Sequence, residues 1–243
     1  MTEAEWLAAS NPALLLGFLR GSEEYRKFRL FACACARRVV HLVRDERAKA
    51  ALGFAEQLAD RTGAARRGRP AIHKAGLAAC QSLWGQDQGR FDSGELLAHL
   101  AESNATHAAV KTAEADATVA AAACTTASLA AAYTTCRPPR FPTPFPPDRG
   151  DRIADEERTQ VVLFRDIFGS PFRPVTFSPS WLTPTAIGLA EAIYADLAFD
   201  RLPILADALQ DAGCEDIDIL AHCRGDWPHA RGCWVVDGVL GKR

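Results

Sequence analysis

The chain has 243 residues, enough for one large domain or two small ones, and either can bury a core. Hydrophobic residues make up 48% and charged residues 24%, which excludes global disorder. A formal net charge of −2 and a sequence pI of about 6.3 exclude a global electrostatic attraction for nucleic acid or anionic membrane.

The N-terminus, M-T-E-A-E-W-L-A, carries acids where a signal peptide carries bases, so no export signal is read and a cytoplasmic location is expected. Eight cysteines then read as reduced thiols rather than a disulfide framework. Thr2 is placed to cap a first helical turn, and Asn11-Pro12 starts a second that Gly21 ends. Ser22 is expected to cap the next helix, with Glu23 and Glu24 in its first turn. On that helix Phe28, Phe31, Cys35, Val39 and Leu42 fall on one stripe. Cys33 and Cys35 lie about 200° apart on a helix, too far to share one ion, and read as buried small thiols. Ala48 to Asp60 continues helically.

Arg67-Gly68-Arg69-Pro70 resembles the core of an AT-hook, in which an extended R-G-R enters an A·T minor groove. Arg66, Arg67 and Arg69 are therefore the candidate nucleic-acid residues, against the favoured reading of a solvated basic loop. Helices are predicted over 70–84 and 91–100, then one long Ala-rich helix from Asn104 to about Thr134. His73, His99 and His107 are scattered and read as surface or satisfied side chains. The uncharged run Ala117 to Tyr133 is Ala and Thr rather than Leu and Ile, so no membrane span is expected.

Arg137 to Asp151 holds six prolines in fifteen residues and reads as a semi-rigid linker, with a ligand for an SH3-like or WW-like module as the alternative. Beyond it helices are predicted from Asp155 to Gly169, from Thr183 to near Ala198, from an Asp200 cap to Gly213, from Asp216 to Cys223, and from about Arg231 to Leu240. The expected fold is all-α. A bundle-like helical part (1–136) and a compact helical part (152–243) flank a Pro-rich linker (137–151).

Several stretches carry a resemblance. They are M-T-E-A-E-W-L, F-L-R-G and R-L-F-A-C-A-C-A-R-R near the N-terminus, then R-D-I-F-G-S-P-F-R-P-V, R-L-P-I-L-A-D-A-L-Q-D-A-G-C and R-G-C-W-V-V-D towards the C-terminus. Together they resemble an uncharacterised paralogous family of planctomycete bacteria. Arg201 to Gly213 is also similar to the helical segment of the repeat-companion domain of those bacteria, with Ala208 in place of its Trp. The resemblance implies a bacterial intracellular protein and supplies no catalytic residue.

The chemistry-bearing stretch is Cys214, Cys223, His229 and Cys233, spaced C-x8-C-x5-H-x3-C, with His222 beside it. Thiolates and imidazole at such intervals suit tetrahedral zinc. The spacing resembles that of the CCCH zinc finger with the last two ligand types exchanged. The favoured expectation is three core thiols and no cofactor; structural zinc on these four residues is the alternative. The sequence has no Walker loop, G-x-G-x-x-G, H-E-x-x-H or G-x-S-x-G. A Cys223 or Cys233 thiolate paired with His222 or His229 is the remaining catalytic option.

Arg165, Phe168, Phe172, Arg173 and Trp181 are the residue types that line binding grooves. The functional expectation is a non-enzymatic helical module that binds another, unidentified protein through them. A zinc-stabilised module, with nucleic acid as its further option, and a cysteine-dependent enzyme are the alternatives.

Overall fold

A computed structural model of the chain describes residues 1–22, 24–60, 74, 78, 81, 102–108, 117–135 and 148–242. Every regular element among them is helical, and the fold class is all-α. Arg66, Arg67, Arg69, the helix predicted over 91–100 and the proline-rich segment up to residue 147 lie outside the described residues, as does all but three positions of the helix predicted over 70–84. No helix among the described residues is long and apolar enough to cross a membrane.

The chain divides into two compact units, Met1–Val161 and Val162–Arg243. The first contains α1 (Glu3–Ala8), α2 (Pro12–Phe18), α3 (Tyr25–Val39), α4 (Glu46–Asp60), a helical segment at 102–108, α5 (Ala117–Thr135) and the first part of α6 (Arg149–Phe168). Thr2 and Glu5 form a reciprocal capping box on α1, and Asn11 caps α2 through Ala13 N–H. Ser22 does not cap α3. Its hydroxyl has no partner among the described residues, its N–H turns back to Leu19 O, and Glu24 takes the cap position without a side-chain bond. The backbone turn that begins at Gly21 (φ 99°) therefore replaces the expected cap.

α3 is buried well beyond one stripe, because it packs against both α4 and α5. Cys33 and Cys35 are buried within it. Leu42 falls in a 3-10 turn, and Val43 takes the buried position instead. Ala123, Ala127, Ala130 and Ala132 on α5 are fully buried, and such short side chains let neighbouring helices approach closely. Bidentate pairs Arg37–Glu56 (2.8 and 2.7 Å) and Arg38–Glu156 (2.7 and 2.9 Å) tie α3 to α4 and to α6. Helix α6 starts at Arg149, six residues before the expected Asp155, and its first turns belong to the first unit through Glu156 and through Gln160–Ser128.

The second unit comprises the end of α6, then α7 (Pro184–Asp196), α8 (Leu202–Asp211), α9 (Ile217–Arg224) and α10 (Trp234–Leu240). Thr183 caps α7 with Pro at the first helical position, and Asp216 caps α9 through Asp218 and Ile219 N–H. Asp200 does not cap α8: a 3-10 turn at Phe199–Arg201 feeds the helix, which begins at Leu202 with Pro203 in its first turn. Gly232 (φ 97°) delays α10 to Trp234, three residues after the expected start. α7 packs on α8 and α10, and α9 on α8 and α10. Their shared core contains Ile193, Leu202, Leu205, Leu209, Ile219 and Val236.

Candidate metal centre

Asp166 lies on the last turn of α6 and is 1% exposed. Phe164 and Ile167 share a fully buried face of the helix, and Asp166, about 100° round from Ile167, is buried instead by the segments that carry His222 and His229. Gly169 ends the helix at φ +68°, and a Cβ there would sit 3.3 Å from Trp234 Cγ. The glycine thus allows both the left-handed turn and the close approach of the start of α10.

Two further segments meet Asp166. Helix α9 brings His222, and the loop from Gly225 to Cys233 brings His229, Ala230 and Cys233. Asp166 Oδ1 lies 2.6 Å from His229 Nδ1 and 3.1 Å from His222 Nε2, and Oδ2 accepts from Ala230 N–H at 2.8 Å. His222 Nε2 is also 3.2 Å from Cys233 Sγ. One donor atom from each of Asp166, His222, His229 and Cys233 lies within 4.8 Å of the others. The four side chains are nearly closed to solvent, His222 being the most exposed at 11%.

Electrostatics follow from that burial. Desolvation pushes the Asp166 carboxyl up, but the hydrogen bonds from His222 and His229 and the field of both rings outweigh it, and the net direction is down. Asp166 is therefore a buried carboxylate. Burial pushes the Cys233 thiol well above its ordinary range, with the Asp166 carboxylate acting in the same direction. Without a cation nearby that sulfur stays protonated.

The set suits a divalent ion of intermediate softness. Two imidazoles, one carboxylate and one thiol form a mixed N/O/S shell of the kind zinc takes. With the thiol deprotonated, the ligands carry two negative charges, which a divalent ion cancels inside a buried site. Tetrahedral zinc sets its ligand atoms about 3.3 to 3.7 Å apart. The contacts of 2.6 to 3.2 Å found here are shorter, so an ion would open the cluster by several tenths of an ångström.

Two of the four residues expected from the C-x8-C-x5-H-x3-C spacing, His229 and Cys233, are in this cluster, and the other two are not. Cys214 and Cys223 belong to the hydrophobic core of the second unit. Burial, with Asp166 and Cys214 nearby, pushes the Cys223 thiol up to about 12, and burial raises Cys214 as well. In place of those two, the fold supplies His222 and Asp166. No protein-family model matches the chain, and no curated protein or solved structure matches it.

The residues expected to bind a partner are spread over the same unit. Phe168 stacks on Phe164 with ring centroids 4.2 Å apart, and Trp181 packs against the hydrophobic core. Arg173 is exposed, whereas Arg165 and Phe172 are half-buried. A cavity of about 350 Å³ is lined by His229 together with Phe199, Cys223 and Trp227 among others. The indole of Trp227 covers Gly225, where a Cβ would come within 2.1 Å of the ring.

Proposed function

We propose that the second unit is a zinc-stabilised helical module, with Asp166, His222, His229 and Cys233 as ligands. The observation that carries this reading is the convergence of those four donors, from three separate segments, inside one buried cluster. Four protein donors would complete a tetrahedral shell, and their burial closes it to substrate, so the metal's role is structural rather than catalytic. Such an ion would tie the end of α6 to α9 and to the start of α10. The module's work is then to present a rigid helical surface to another macromolecule in the cytoplasm, and the expected partner is a protein.

The test is metal content. Full-length protein is stripped with chelator, equilibrated with zinc, passed through a desalting column and analysed for metal. One zinc per chain is expected, and zinc at a hundred times its Kd is expected to raise stability by about 2.7 kcal/mol. Cys233→Ser should lose the ion, while Cys214→Ser should keep it. Retention by Cys233→Ser with loss in Cys214→Ser would favour the ligand set read from spacing. No retained zinc and no stabilisation by zinc in the wild-type chain would remove the proposal.

A further inference from the structure

His222 and His229 are not equivalent as ligands, and the difference lies in what faces their second nitrogen. Trp234 Nε1 is 3.1 Å from His222 Nδ1. An indole N–H only donates, so Nδ1 must accept. A neutral imidazole holds one proton, which therefore sits on Nε2. There it points to Asp166 Oδ1 at 3.1 Å, with Cys233 Sγ at 3.2 Å. His229 is the reverse case. Its Nδ1 faces Asp166 at 2.6 Å, and its Nε2 has no hydrogen-bond partner among the described residues.

A nitrogen that ligates a metal must be bare, and the other ring nitrogen then carries the proton and normally donates it to an acceptor. His229 can bare its Nδ1 by moving the proton to Nε2, which has no hydrogen-bond partner among the described residues to oppose it. For His222 the same move is opposed. If its Nε2 ligates, its proton moves to Nδ1, where it meets the indole N–H of Trp234 donor to donor. We infer that Trp234 is the positioning residue that holds His222 in its metal-free tautomer, so that zinc binding through His222 must break the Trp234–His222 hydrogen bond. This rests on the zinc proposal above. In proton terms each ring keeps one proton and relocates it, and the proton released per zinc comes from the Cys233 thiol.

Trp234 is well placed to transmit the event. It is the first residue of α10, it lies against Gly169 at the end of α6, and its ring meets Phe177 edge-on at 6.3 Å. Loss of its hydrogen bond would therefore be felt where three segments of the unit meet.

The test uses the chelator-stripped, ¹⁵N-labelled full chain titrated with zinc chloride. The indole N–H resonance of Trp234, assigned by its absence in Trp234→Phe, is expected to move upfield to the range of an unbonded indole as zinc fills the site. Trp234→Phe is expected to bind zinc about fivefold more tightly, the weight of one net hydrogen bond that need no longer be broken. If zinc binds while the resonance stays in place and the variant's affinity is unchanged, the inference is wrong, and His222 lies outside a shell made by Asp166, His229 and Cys233. If neither protein binds zinc, the metal proposal fails together with it. Should Trp234→Phe not fold, the wild-type indole resonances decide alone, with that of Trp234 assigned through its contacts with the Phe177 ring, which it meets edge-on.

Discussion

Replacing Asp166 by Asn tests how far the buried cluster supports the second unit without any metal. The carboxylate accepts from His229 Nδ1 at 2.6 Å, Ala230 N–H at 2.8 Å and His222 Nε2 at 3.1 Å. An amide has a single acceptor oxygen. With that oxygen on the two rings, the amide NH₂ faces the Ala230 N–H. One hydrogen bond to a charged acceptor is then lost, at about 1.5 to 3 kcal/mol, and a buried backbone donor is left unpaired at about 1 to 3 kcal/mol. The two ring contacts lose their charge assistance as well. Relief from burying a carboxylate offsets part of this, and a net loss of about 3 kcal/mol remains. The assay is urea unfolding in excess chelator, paired with hydrogen exchange at the Ala230 amide. A loss below about 1 kcal/mol, with the Ala230 amide as protected as in wild type, would refute the assignment of Asp166 as the organising acceptor.

The same carboxylate sets a pH dependence. Its folded pKa is depressed, so its contribution is complete above the unfolded value of about 4 and is lost as pH falls through the folded one. Urea midpoints in chelator should therefore fall between pH 5 and pH 2.5 by more in wild type than in Asp166→Asn; parallel slopes would contradict this. Two glycines should respond unequally to alanine. At Gly238 the new Cβ would lie 2.0 Å from the Phe177 ring, which packs on the core, so Gly238→Ala should cost about 1 to 3 kcal/mol. At Gly225 it would lie 2.1 Å from the ring of Trp227, which is 40% exposed and can swing aside, so Gly225→Ala should leave the urea midpoint nearly unchanged while shifting Trp227 fluorescence. Equal costs at the two positions would count against this packing.

Helices were legible where a local rule decides them. Thr2, Asn11, Thr183 and Asp216 cap helices because a short oxygen-bearing side chain meets free N–H groups whatever lies elsewhere in the chain. Ser22 and Asp200 obey the same composition rule and fail, because a turn at Gly21 and a 3-10 turn at Phe199–Arg201 fix the backbone first. The cluster was half legible. His229 and Cys233 lie in one short loop whose spacing can be read directly. Asp166 comes from a helix more than fifty residues earlier, and spacing says nothing about such a distance. Its one signal was chemical: an acid set between apolar Phe164 and Ile167 on a helix that buries both. His222 stands beside the four-residue spacing rather than within it, next to Cys223. On α9 that adjacency is what separates them, since residues one apart diverge by about 100°, and Cys223 enters the core while His222 turns to Cys233.

The size of the second unit gives the cluster its thermodynamic sense. From Val162 to Arg243 it has only about eighty residues, near the limit at which one apolar core is a sufficient source of stability. Its last three helices have 10, 8 and 7 residues, each too short to persist alone in water. They hold only if their ends are fixed. Leu205, Leu209 and Ile219 fix α8 and α9 against each other, but the loop from Gly225 to Cys233 has a glycine near each end and few core side chains of its own. Asp166 reaches that loop through His229 and the Ala230 amide, beside Arg231, which donates to Tyr194 O at 3.2 Å. A divalent ion at the same point would strengthen a connection to which apolar burial contributes little, and it would do so where α6, α9 and α10 come together.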